Sequence, residues 1–129
     1  MSHIYQTTPL LHVPELEKAL DLFTRVLGFD IKYRAGDYAY LERGEAGLRI
    51  LEEPGRELPA PGDKTRLTVY FDVSDVDELY SELLPALSTL PPGDVHAPID
   101  QPWNQREFHV RLPDGQWMAF GQPFKPARV

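Results

Sequence analysis

Val13-Pro14-Glu15-Leu16-Glu17-Lys18-Ala19-Leu20-Asp21-Leu22-Phe23, closing on Leu27-Gly28-Phe29, is the stretch whose reading decides the fold. Leu16, Ala19, Leu20, Phe23, Val26 and Leu27 recur at helical spacing. Pro14 suits a first turn, and Gly28 suits the position just past a helix end. The spacing predicts a helix over 15–27. Ahead of it, 4–13 reads as a strand. Behind it, 29–34, 38–42 and 48–52 read as three short strands separated by Gly36-Asp37 and Arg43-Gly44-Glu45. The order is β-α-β-β-β.

The order then repeats. Sliding the chain by sixty residues sets Val73 on Val13, Asp75 on Glu15, Val76 on Leu16 and Leu79 on Ala19, with Thr68 opposite Thr8. Residues 66–73 read as a strand. Ser74 stands as a helix N-cap with Asp77 three residues on, before Val76, Leu79, Tyr80 and Leu83 at helical spacing, and Pro85 is expected to stop or kink this helix early. A hairpin joins 107–111 to 116–122 across Leu112-Pro113-Asp114-Gly115, and 94–97 supplies the sixth strand. Because strand, cap and helical stripe all agree, a duplicated module explains the likeness better than chance.

Proline marks the joins. The chain has 13 in 129 residues, about twice the usual ~5%. They gather at Pro54, Pro59 and Pro61 and again at Pro85, Pro91, Pro92, Pro98 and Pro102, so regular structure is expected mainly elsewhere. The expected organisation is one domain over 1–129, with module one over 3–54, a linker over 55–64 and module two over 65–124. At 129 residues the chain is long enough for one core without staples.

The absence of cysteine excludes disulfides, thiolate metal sites and cysteine nucleophiles. A formal net charge of −7 with no basic run argues against a nucleic-acid partner. Nothing approaches the ~20 apolar residues of a membrane span, and the first residues lack the order of a signal peptide. The expectation is a soluble cytoplasmic protein with no membrane partner.

The stretch 13–29, together with Phe71-Asp72-Val73-Ser74-Asp75, Trp103-Asn104-Gln105-Arg106-Glu107-Phe108 and Pro113-Asp114-Gly115, resembles the glyoxalase, bleomycin-resistance and extradiol-dioxygenase superfamily, the vicinal oxygen chelate fold. The resemblance covers nearly the whole chain. It implies an α+β fold of two tandem βαβββ modules whose strands form an incomplete barrel around a cavity, and a homodimer. The segment Leu41-Glu42-Arg43-Gly44-Glu45 through Leu48, then Pro54-Gly55, resembles the metal-free bleomycin-resistance branch, whose members bind a drug without altering it.

In metal-dependent members the resemblance puts a His, Gln or Glu on the first strand of each module and a Glu on the last. Those positions fall here on Thr8, Arg49, Thr68 and Ala119. A divalent ion needs imidazole or carboxylate donors, and two hydroxyls, a guanidinium and a methyl supply none. No cofactor is therefore expected. A relocated divalent-metal site built from His12, Glu107 and His109 is the alternative, since Glu107 and His109 lie two apart on one strand and share a face. His3 and His96 read as surface or loop residues.

The expected function is capture of a small planar or aromatic molecule, an antibiotic among the candidates, with Trp103, Trp117, Tyr70, Tyr40, His109, Arg49, Thr8 and Thr68 as binding residues. Arg49 needs either a carboxylate, with Glu107 the nearest candidate, or an anionic ligand. Both readings stay open. The competing function is an enzyme, a glyoxalase-like lyase, isomerase or dioxygenase, using the relocated metal or His109 with Glu107 in acid–base chemistry. A structural module with a filled interior is the third.

Overall fold

Proline 9 sets where the first strand begins. In the computed structural model, which describes residues 2, 6–55 and 68–123, β1 is Leu10–Val13. Pro9 has no N–H to give a ladder, although its carbonyl accepts from Arg49 N at 2.9 Å. The strand expected over 4–13 is correspondingly short, and residues 4 and 5 lie outside the described residues. Thr8 therefore stands ahead of β1 rather than on it. The first strand of the second half is also short, β5 at Val69–Asp72, and leaves Thr68 just outside; residues 66 and 67 are not described.

The chain divides into two units, Met1–Arg56 and Glu57–Val129. Of the linker expected over 55–64, only Gly55 is described. In the first unit, β1 is followed by helix α1 (Leu16–Asp21), a π-helical turn (Leu22–Val26) and strands β2 (Asp30–Ala35), β3 (Tyr38–Arg43) and β4 (Ala46–Glu52). The strand order across the sheet is β1-β4-β3-β2, with β1 parallel to β4 and the other pairs antiparallel. The second unit repeats the plan with β5, α2 (Val76–Leu87), β6 (Val95–Asp100), β7 (Gln105–Arg111) and β8 (Trp117–Pro123) in the order β5-β8-β7-β6. This is the α+β pair of tandem βαβββ modules.

The helix expected over 15–27 changes character at its middle. Thr24 Oγ1 takes the carbonyl of Leu20 at 2.7 Å, the acceptor that α-helical closure would give to the amide of residue 24. The ladder then widens, and Leu27 N–H reaches Leu22 O at 3.0 Å. The buried stripe still runs Leu16, Ala19, Leu20, Leu22, Phe23 and Val26. Gly28 ends it at φ 76°, and a Cβ there would run into Arg43 Nη1. That guanidinium donates to Leu27 O at 2.9 Å, so glycine serves both the turn and the cap.

Three expectations for the second unit are corrected. Asp75, not Ser74, caps α2, accepting from Glu78 N at 3.0 Å. Pro85 does not stop the helix, which continues to Leu87. Its ring is exposed, the Ser81 carbonyl that loses its donor lies on an exposed residue, and Leu83 and Leu87 remain packed. The sixth strand is β6 at 95–100 rather than 94–97. It is an edge strand, where proline is tolerated, and it passes Pro98 with a register shift between His96 and Ile99.

The two units share a device that sequence reasoning missed. Leu16 N donates to Glu52 Oε2 at 2.8 Å, and Val76 N donates to Gln122 Oε1 at 2.5 Å. In each, the last strand reaches across to cap the helix. Leu16 and Val76 stand sixty residues apart, but Glu52 and Gln122 stand seventy. The repeat drifts because α2, the connection after it and the turns joining the last three strands are all longer than their counterparts.

Replacing Glu52 with Ala is expected to lower stability by about 1 kcal/mol in denaturant unfolding. Gln in its place should restore most of that, because an amide oxygen still accepts, as it does at Gln122. Equal losses for Ala and Gln would show that acceptor geometry is not what holds the helix.

Candidate functional site

Alternation along β7 separates two kinds of residue. Phe108 and Val110 are buried on the α2 side, where Tyr80 meets Phe108 edge-on at 5.3 Å. Glu107 and His109 must then face the other way. Register extends that face into rows. Tyr70, Ala119, His109 and His96 lie side by side across β5, β8, β7 and β6, and the next row is Asp72, Gly121, Glu107 and Ile99.

Within these rows the polar atoms converge on one carboxylate. Glu107 is 1% exposed. Its Oε1 lies 3.0 Å from His109 Nε2 and accepts from the Tyr70 hydroxyl at 3.4 Å. Burial, and after it the charge and hydrogen bond of Glu107, hold the Tyr70 hydroxyl above the ordinary phenol range. His96 stacks on Trp117 with ring centroids 4.6 Å apart and meets His109 edge-on at 5.8 Å. The result is a wall of rings around an acidic centre, with the Ala119 methyl between Tyr70 and His109.

The corresponding row in the first unit is Leu10, Arg49, Tyr40 and Tyr33. Arg49 Nη1 donates to Tyr38 Oη at 2.6 Å, and its guanidinium lies 5.5 Å from the Tyr40 ring centre. The partner weighed for it, Glu107, lies in the other unit, where it meets Tyr70 and His109. Tyr40 donates to Glu42 at 2.8 Å, and that bond is the chief cause of its own raised pKa. His12 lies on the same face, opposite Leu51, with Nδ1 3.7 Å from Glu53.

Of the binding residues read from the sequence, Tyr70, His109 and Trp117 come together on the second sheet, and Arg49 and Tyr40 on the first. Trp103 stands apart. It is 54% exposed in the turn between β6 and β7, where Gln101 N donates to Gln105 O and Asn104 takes φ 63°. Thr8 accepts from Gln6 Nε2 at 2.9 Å, and Thr68 is exposed. His96, read as a surface or loop residue, is exposed; it lies on β6 and stacks on Trp117. Tyr38 was missed. Period-two alternation with Tyr40 was the signal that pointed to it. His3 lies outside the described residues. Among the described residues no three His, Asp or Glu stand together as a metal site, and no helix is long and apolar enough to cross a membrane.

The fold has known counterparts. The sequence model of the Glyoxalase/Bleomycin resistance protein/Dioxygenase superfamily matches residues 3–120, and the chain belongs to that superfamily. Within it, the chain is similar to the bleomycin resistance proteins of Geobacillus stearothermophilus and Staphylococcus aureus. Each is 26% identical over 132 residues, covering 93% of this chain and 98% of the relative. Among solved structures, a bleomycin-binding protein complexed with bleomycin superposes with a TM-score of 0.75 at 24% identity, covering 94% of this chain and all of that one. The bleomycin-binding protein of Streptomyces verticillus, complexed with copper(II)-bleomycin, gives 0.74 at 22% identity over 97% of this chain and all of its own. These superpositions establish the fold.

The raised phenols carry a pH consequence. The folded chain holds the Tyr70 and Tyr40 protons more tightly than an unfolded chain, in which tyrosine titrates near 10.0. The stability this contributes is complete below that pH and is lost as pH climbs through the folded values. Denaturant midpoints measured across that range should fall less steeply for Tyr70→Phe than for the parent chain. Superimposable profiles would contradict the Tyr70–Glu107 contact.

Proposed function

We propose that this protein captures a small planar or aromatic molecule, an antibiotic of the bleomycin kind among the candidates, and holds it without chemical change. The observation that carries the reading is the row Tyr70, Ala119, His109 and His96 with Trp117 stacked beside it. Rings and hydrogen-bonding tips line a face that the unit's own helix leaves uncovered. The likeness to bleomycin resistance proteins supports the same class of ligand.

The reading is metal-free. At the positions where metal-dependent members of the superfamily bring donors, Arg49 brings a cation held by Tyr38 and Ala119 brings a methyl. Thr8 and Thr68 bring neutral hydroxyls. That set does not fit a divalent cation. The net charge of −7 gives a long-range bias toward cationic ligands. We further propose a homodimer working in the cytoplasm, in line with the superfamily's habit.

Thermal unfolding with metal-free bleomycin tests the reading. A ligand at a hundred times its Kd stabilises by about 2.7 kcal/mol, so the midpoint should rise, equally with and without a chelator. The drug should be recovered with its mass unchanged. No shift with bleomycin or with other planar antibiotics would contradict the proposal, and a shift abolished by chelator would contradict its metal-free part. Sedimentation should give twice the chain mass.

A further inference from the structure

The Glu107 carboxylate is half satisfied. Both of its neighbours address Oε1, whereas Oε2 is buried and has no hydrogen-bond partner among the described residues. A buried acceptor without a donor costs about 1–3 kcal/mol, and more when it is charged. A native fold keeps such a deficit where something else supplies the donor.

The cations nearest in sequence are committed elsewhere. Arg106, on the opposite face of β7, donates to Asp77 of α2 and to Asp100 of β6 at 3.0–3.1 Å. Arg111 pairs with Asp94 at 3.6 Å, its backbone N–H also donating to Asp94 O. His109 meets only Oε1. The glycine beside Glu107 in its row lets the carboxylate stem pack close against β8, since a Cβ on Gly121 would lie only 3.2 Å from Glu107 Cβ and 3.3 Å from Gln105 Oε1. Beside the carboxylate stand the Tyr70 ring, 48% exposed, and the His109 ring, both reaching its Oε1. A carboxylate walled by π-faces suits a cationic nitrogen, which gains from both.

Resting on the binding reading above, we propose that Glu107 is the specificity-determining residue of the site, with Oε2 accepting a hydrogen bond from a protonated amine or amidinium nitrogen of the ligand. Tyr70 and His109 hold the carboxylate in place through Oε1. The ligand's nitrogen completes an otherwise incomplete hydrogen-bond set, and a neutral ligand of the same shape offers Oε2 at best a weaker, uncharged donor.

Benzamidinium and neutral benzamide are nearly isosteric and test this directly. Titrated into the full chain and followed by the side-chain NMR signals of Tyr70, His109 and Trp117, benzamidinium should bind at least about tenfold more tightly than benzamide. Glu107→Gln should remove that preference, bringing the affinities for the two probes together. Equal affinity of the two probes for the parent chain, or an undiminished preference in Glu107→Gln, would overturn the proposal. Should Glu107→Gln fail to fold, the ratio measured on the parent chain alone decides. Bleomycin separates the two readings. Binding of bleomycin without charge discrimination between the probes removes the role of Glu107 and leaves capture standing. Glu107-dependent binding of benzamidinium without bleomycin binding does the reverse.

Discussion

Three phenylalanines on successive strands, Phe71, Phe120 and Phe108, stand directly opposite one another and stack at 5.0 and 4.9 Å with nearly parallel rings. Each contact adds about 0.5–1.5 kcal/mol beyond burial, and Tyr80 of α2 closes one end of the ladder edge-on. Its larger effect is on register. Slipping any of these strands by one residue would turn a phenylalanine to the uncovered face and break the ladder. With the ladder in place, Tyr70, Ala119 and His109 have no choice of side. The acidic, ring-lined face follows from how the other face is packed.

The two units show how one plan diverges. Both pair their first strand in parallel with their last, and both use a side chain near the end of that last strand, Glu52 or Gln122, to cap the helix. Their uncovered rows then differ. The first carries Arg49 seated by Tyr38 and Tyr40. The second puts the Ala119 methyl at the equivalent place and its acid one row on, in Glu107. The shared parts hold the helix to the sheet, and the differing parts are the ones we propose to meet a ligand.

Much of this was legible in the sequence, for definite reasons. The stripe from Leu16 to Leu27 and the duplicated strand-to-helix step were strong because many apolar positions agree on one period. The faces of Glu107, His109 and Trp117 followed from alternation alone. Element ends were harder to read. The π-helical turn depends on one Thr24 hydroxyl, and the persistence of α2 past Pro85 depends on which side of the helix meets solvent. The sixth strand runs past the expected 94–97 because proline in an edge strand costs little. The capping roles of Glu52 and Gln122 link positions 36 and 46 residues apart, and no local signal reports such a contact.

The central claim is that the face of β5, β8, β7 and β6 turned away from α2 is where this protein meets its ligand. Side-chain NMR during titration with metal-free bleomycin addresses that claim residue by residue. The ring signals of Tyr70, His96, His109 and Trp117 should move together along one saturation curve, while those of Phe71, Phe108 and Phe120 stay in place. Movement confined to the phenylalanine ladder, or saturable binding that leaves all four rings of the uncovered face unmoved, would contradict the account.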